Sequence, residues 1–216
     1  MAKGKAFLLD TDLILETTLS LHRMTLSPYD IASYRILGSS CGAIVSEVCK
    51  SVQPNMTEWQ VGALMSQKCI EQGIEVVVML IAADERLENI RHPLPTMKKI
   101  KKKVMVVLCG RRGGLIASVT RIVYISNNPN ESIPDDLRKR HNAVTYVDAI
   151  AMSLTKPGAI SSGIFKAIQG AYKEKGFENE WKYHHQGGLA GYKSREWKAS
   201  PISNVQSFLR MLQIDI

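Results

Sequence analysis

Four landmarks of this 216-residue chain recur in the same order and at the same separations: Pro54, Glu71, Gly73 and Glu75, then Pro157, Glu174, Gly176 and Glu178. Each set opens a helical stretch at a proline, ends it at a glycine and leads into an extended segment. Self-similarity of this kind restricts the architecture, because each copy must be one supersecondary unit whose apolar face needs a mate. Two helix-helix-strand halves around one curved antiparallel sheet, helices outside, meet that demand and give an α+β fold.

In the first half, Ser27 supplies an N-cap, Pro28 the first helical position and Asp30 a first-turn acid. Ile31, Tyr34, Leu37, Cys41, Ile44, Val45 and Val48 follow at three- and four-residue steps, the buried face of a helix. Thr57 and Gln60 are spaced as a capping box for a second helix, which passes Val61, Leu64, Met65 and Cys69 to stop at Gly73. The run 74–82 suits a buried strand, and 84–95 is a polar loop carrying His92. Strands at 104–108 and 116–124 are joined by a turn over 110–114, and after a loop a helix spans 135–154. In the second half a helix opens at Pro157-Gly158, ends at Gly176 and leads through Phe177-Glu178 into a histidine-rich strand. Residues 1–26 form a strand-like leader, Ala6 to Leu9 and Leu13 to Leu15, and 27–216 the main domain.

A net charge of +8 invites a nucleic-acid reading, but the densest basic run, Lys98 to Lys103, precedes an apolar strand and carries no aromatics for base stacking. The apolar stretch near the N-terminus is cut by Asp10, Asp12 and Glu16 before it reaches membrane-span or signal-peptide length. Cys41, Cys49, Cys69 and Cys109 show no metal-knuckle spacing, so free thiols in a reducing cytoplasm are the expectation.

The densest chemistry is Trp181 to Tyr192, continuing to Glu196: adjacent His184 and His185, then Gln186, and glycines that let a ligand approach the backbone. A glycine-rich hairpin whose histidines only hydrogen-bond neighbouring loops would look the same.

With Gln53 to Glu58, Arg91 to Pro93, Gly114 to Arg121 and His184 to Glu196, the chain resembles the pita-bread metallopeptidase superfamily of methionine aminopeptidase, aminopeptidase P, prolidase and creatinase. It is similar in particular to a divergent branch of peptidases or Xaa-Pro dipeptidases. The resemblance implies the pita-bread fold with pseudo-twofold halves, truncated at its C-terminus, the leader being the remnant of a preceding domain. It also implies two divalent metals held by two hairpin aspartates, one histidine and two glutamates, activating a water against a peptide carbonyl.

Here the sequence departs from the family. The first aspartate would fall near Leu108 or Cys109 and the second at Ser118, and no Asp or Glu occurs from Asn89 through Asn130. The ligand histidine would fall at Gly188, leaving His184 or His185 as substitutes, of which an extended segment would turn only one to the concave side. His92 matches the family's substrate-side histidine. Arg121, Gln186, Tyr192 and Glu196 are candidate ligand-binding residues, with a structural ion pair the plainer role for Glu196. Cys109 is a small hydrophobe or a thiol nucleophile beside an imidazole. Two readings stand: a binding protein for peptide or small amide-like ligands with no cofactor, or a hydrolase with a Cys-His centre or a non-standard zinc, manganese or cobalt site. An unfinished sheet edge would favour a homodimer.

Overall fold

The computed structural model describes residues 19–20, 22–126, 128, 130–156 and 158–200. It divides into two compact units, Tyr29–Asn142 and the discontinuous pair Met1–Pro28 and Ala143–Ile216.

The first unit begins with helix α1, Pro28–Ser51, whose buried residues Leu37, Cys41, Ile44, Val45 and Val48 are the expected stripe. Helix α2, Glu58–Glu71, opens with the capping box: Thr57 Oγ1 accepts from the Gln60 amide at 3.1 Å, and Gln60 Oε1 from the Thr57 amide at 2.8 Å. Strand β1, Glu75–Ala83, leads to the short helix α3, Glu85–Asn89. Strands β2, Lys103–Arg112, and β3, Leu115–Tyr124, complete an antiparallel sheet of order β1-β2-β3. The turn is tighter than the expected 110–114: only Gly113 and Gly114 lie outside the strands, at φ 59° and 83°. Two successive positive φ values match a hairpin's twist, and glycine reaches them without strain. Val104, Val106, Leu108 and Gly110 of β2 are buried, alternating with the half-buried Met105, Val107 and Cys109. Gly110 lies against α1, where an added Cβ would sit 2.8 Å from Cys41 Sγ and 2.8 Å from Ile74 Cγ2.

The lysine run is held by its backbone. Asp84, at φ 53°, accepts from the amides of Lys101, Lys102 and Lys103 at 3.0, 2.9 and 3.1 Å, bonds that over-determine a strained conformation. Burial pushes the Asp84 carboxyl up, but these amides outweigh it and leave its pKa below the usual carboxylate value. A depressed folded-state pKa stabilises the fold above the unfolded pKa, near 3.8, and that contribution is lost as pH falls through the lower folded value. Asp84→Asn should therefore cost about 1 kcal/mol at pH 7. The gap to wild type should stay level down to about pH 4 and close below it. Urea midpoints across this range check it; a gap already closing at pH 6 would refute it.

The second unit contains helices α4, Asp135–Leu154, from Ala143 onward, and α5, Ser161–Glu174, then a 3₁₀ turn, Glu180–Tyr183, and two-residue strands β4, Gly188–Leu189, and β5, Trp197–Lys198. The repeat survives as geometry. Ser51 and Leu154 end the first helix of each half, Glu58–Glu71 and Ser161–Glu174 are the second, and Gly73 and Gly176 (φ 64° and 79°) follow, all 103 residues apart. The copies then part, since the histidine-rich strand expected after Glu178 is absent: 3₁₀ structure replaces it, and Gly187 at φ 70° interrupts extension before β4. Val147, Ile164, Phe165, Ile168, Ala171, Trp197 and Ala199 form this unit's core. Residues 1–18, including the strand-like runs of the leader, lie outside the described residues, whereas His22, Arg23 and Met24 are helical. All four cysteines are free, and among the described residues no helix is long and apolar enough to cross a membrane.

Candidate site residues of the hairpin and the glycine-rich loop

Strand β2 is the central strand, and its register against β3 sets Cys109 directly opposite Ser118. Directly paired residues share a sheet face, and here Ser118 Oγ donates to Cys109 Sγ at 3.1 Å. This face is not the one packed on the helices: Cys109 is half-buried and Ser118 exposed, whereas their neighbours Leu108 and Gly110 are buried. The resemblance assigns the first aspartate near Leu108 or Cys109 and the second to Ser118: Cys109 and Ser118 are cross-strand partners carrying a thiol and a hydroxyl, whereas Leu108 pairs with Val119 and is buried. Arg121 pairs with Val106, so it lies on the other face from Cys109 and Ser118. Its Nη1 donates to the Thr120 carbonyl at 2.8 Å, and its charge partly offsets the burial that raises the Cys49 thiol's pKa.

His92 is exposed in the loop after α3, and that loop is tied down by a residue whose role the sequence did not disclose. Glu58, fully buried at the start of α2, accepts from the Ala83 amide (2.8 Å), Arg86 Nε (2.9 Å), the Thr96 amide (2.8 Å) and Thr96 Oγ1 (2.6 Å). Arg86 Nη2 donates onward to the Leu94 carbonyl at 2.8 Å. The one available signal was an acid beside the capping threonine, which a helix N-terminus equally explains.

In the other unit the glycine-rich loop is held by its own polar groups. His184 Nδ1 stands 2.8 Å from the His185 carbonyl oxygen, a bond only a protonated Nδ1 can make. The rings lie 3.9 Å apart with 37° between their planes, so the expected projection to opposite faces is not found: without a strand there is no alternation. Arg195 Nη2 reaches His185 Nε2 at 3.3 Å, and Gln186 Nε2 donates to the Trp181 and His184 carbonyls at 3.1 and 2.6 Å. Tyr192 is half-buried in the loop joining β4 to β5. Glu196 pairs with Arg23, not with Arg195: Arg23 Nε lies 3.1 and 2.9 Å from its two oxygens, and its carboxylate also accepts the Lys193 amide at 3.0 Å. With only 2% of the Glu196 side chain exposed, this is a buried clamp, the structural role expected of it.

Gly188 decides what its position can hold. A Cβ there would lie 1.9 Å from the carbonyl oxygen of Trp197, and φ is 142°. No side chain, and hence no histidine, fits this backbone.

The profile of metallopeptidase family M24 matches residues 32–207. The chain belongs to this family. Among solved structures, this M24 chain is similar to the X-Pro aminopeptidase from Thermotoga maritima MSB8 (18% identity, TM-score 0.77, covering 88% of this chain and 53% of that one). It is also similar to the prolidase from Pyrococcus furiosus (19%, TM-score 0.74, 88% and 56%) and the methionine aminopeptidase from Rickettsia prowazekii (13%, TM-score 0.64, 84% and 74%). A search of curated proteins finds no match. The pita-bread fold is thereby shown, over about half the length of the first two relatives.

The divalent metals implied by the resemblance do not fit the residues this M24 chain puts at the corresponding positions. Hard dications call for carboxylate oxygens, and a thiol, a hydroxyl and a bare glycine backbone leave their charge unbalanced. Among the described residues, no group of three or more His, Cys, Asp or Glu side chains is placed to hold a metal ion.

Proposed function

We propose that this chain is a peptidase-like binding protein: an M24 domain that keeps the family's hairpin for peptide or small amide-like ligands without its dinuclear hydrolysis. The observation that carries this reading is the hairpin itself: where the resemblance puts two metal-binding aspartates, near Leu108 or Cys109 and at Ser118, stand an apolar side chain, a thiol and a hydroxyl, with Cys109 and Ser118 side by side. Gly188 supports it independently, because a histidine there would need the backbone to rebuild. A water activated between two metals has no counterpart in such a set. What remains is hydrogen-bonding chemistry: an exposed hydroxyl on Ser118, a thiol beside it and main-chain groups of the loops.

Elemental mass spectrometry on protein purified without added metal or chelator tests this, wild type against Cys109→Ala. The expected result is less than about 0.1 equivalent of zinc, manganese, cobalt or iron in both, as follows for a site without hard anionic donors. Near-stoichiometric metal in the wild type that falls in the variant would overturn the reading in favour of a rebuilt hydrolytic centre.

A further inference from the structure

The unit that contains the glycine-rich loop has a half-open cavity of about 310 Å³ between the C-terminal end of α4, one face of α5 and the segment that carries Gln186. That is the lower end of the range of small-ligand pockets. Ala151 and Met152 of α4, with Ile164 and Ile168 of α5, give it an apolar wall.

Its electrostatics are one-sided. The protein carries a net charge of +8, yet among the described residues that line the cavity the one charged side chain is the exposed carboxylate of Asp148, with no lysine, arginine or histidine beside it. On a helix the side chains that can reach one another lie three and four positions apart. Around Asp148 these are Val144, Thr145, Ala151 and Met152, none of them charged. The same wall is the negative end of the α4 macrodipole, and the last turn of the helix holds no basic residue to answer it. The neutral polar groups add acceptors. Thr155 donates its hydroxyl to the Ala151 carbonyl at 2.7 Å, which leaves its oxygen lone pairs. Gln186 has its amide nitrogen committed to the Trp181 and His184 carbonyls at 3.1 and 2.6 Å, which leaves its oxygen.

A carboxylate, a helix C-terminus and neutral acceptors beside an apolar wall select a cation that has several N–H donors and an aliphatic chain. We propose that this cavity binds a primary alkylammonium group, its three N–H donors at the Asp148 end and its chain along Ile164 and Ile168. A free amine and a lysine side chain both carry that chemistry. The proposal goes beyond the function proposed above and uses none of the hairpin residues. A metal-loaded hairpin would leave it standing, and a cavity indifferent to amines would leave the metal result untouched.

The probe is pentylamine, titrated into the ¹⁵N-labelled full-length chain, with the amides of the lining residues Gly187 and Gly188 as reporters. The expected result is a saturable shift of those signals. Pentan-1-ol and pentanoate, which keep the chain and change the charge, should bind at least about fivefold less. Asp148→Asn, a change at an exposed position, should stay folded and weaken pentylamine about threefold or more. Ala151→Leu, which fills the cavity with apolar atoms, should lose it. Nα-acetyl-lysine methylamide separates the two sources: binding equal to that of pentylamine supports a lysine side chain as the natural occupant, and binding at least tenfold weaker supports a free amine. No saturable shift with pentylamine would overturn the proposal. So would equal binding of pentan-1-ol or pentanoate, wild-type affinity in Asp148→Asn, or undiminished binding to Ala151→Leu.

Discussion

Glu58→Ala should lower stability by about 3–5 kcal/mol, the usual cost of removing one partner from a buried ion pair. The carboxylate is fully buried and accepts four hydrogen bonds, from Ala83, Arg86 and Thr96. Alanine would leave the Ala83 and Thr96 amides without their acceptor and a guanidinium without its anion. Glu58→Gln retains one acceptor oxygen and should cost roughly half as much. With a urea dependence of about 2 kcal/mol per molar, the alanine variant's midpoint should fall by roughly 1.5–2.5 M. A midpoint within about 0.3 M of wild type would mean that the network contributes nothing net. The loop holding His92 should loosen first, and faster amide exchange across 84–96 would register it.

Gly110→Ala is the second large effect. The new methyl group would meet Cys41 Sγ and Ile74 Cγ2, each at 2.8 Å, and both residues are 1% exposed, with no open space to move into. Nor can the strand retreat, because Gly110 is paired to Val76 on one side and Ala117 on the other. Overpacking a rigid core costs about 2–3 kcal/mol. In a Cys41→Ala background one of the two collisions disappears, so the penalty should shrink by about 1 kcal/mol, a non-additivity that a double-mutant cycle reads directly. Additive losses would place the strain elsewhere.

Much of the first unit was legible because its signals are local. The Thr57–Gln60 box spans one helical turn, the α1 stripe is a period, and paired glycines at a hairpin leave few alternatives. What could not be read is what joins distant residues. Glu58 meets partners 25 to 38 positions away, and Asp84 holds amides 17 to 19 positions on. No periodicity announces such bonds. The histidine-rich segment misled for a different reason: with three glycines among nine residues it has no apolar alternation, and its internal hydrogen bonds, not a strand ladder, fix its backbone. For the candidate site, the missing hairpin carboxylates were visible as letters; that Cys109 and Ser118 are direct partners, and that Gly188 excludes any side chain, needed coordinates.

The clamp between Arg23 and Glu196 closes a separation of 173 residues, and the stretch from Tyr29 to Asn142 falls between the two in sequence. During synthesis the inner unit is complete on the ribosome before Glu196 has been translated. Its local contacts can form at once, while the unit that joins residues before Tyr29 to residues after Asn142 must wait until Glu196 has been made. Until then neither the carboxylate that Arg23 pairs with nor the two histidines exist on the nascent chain.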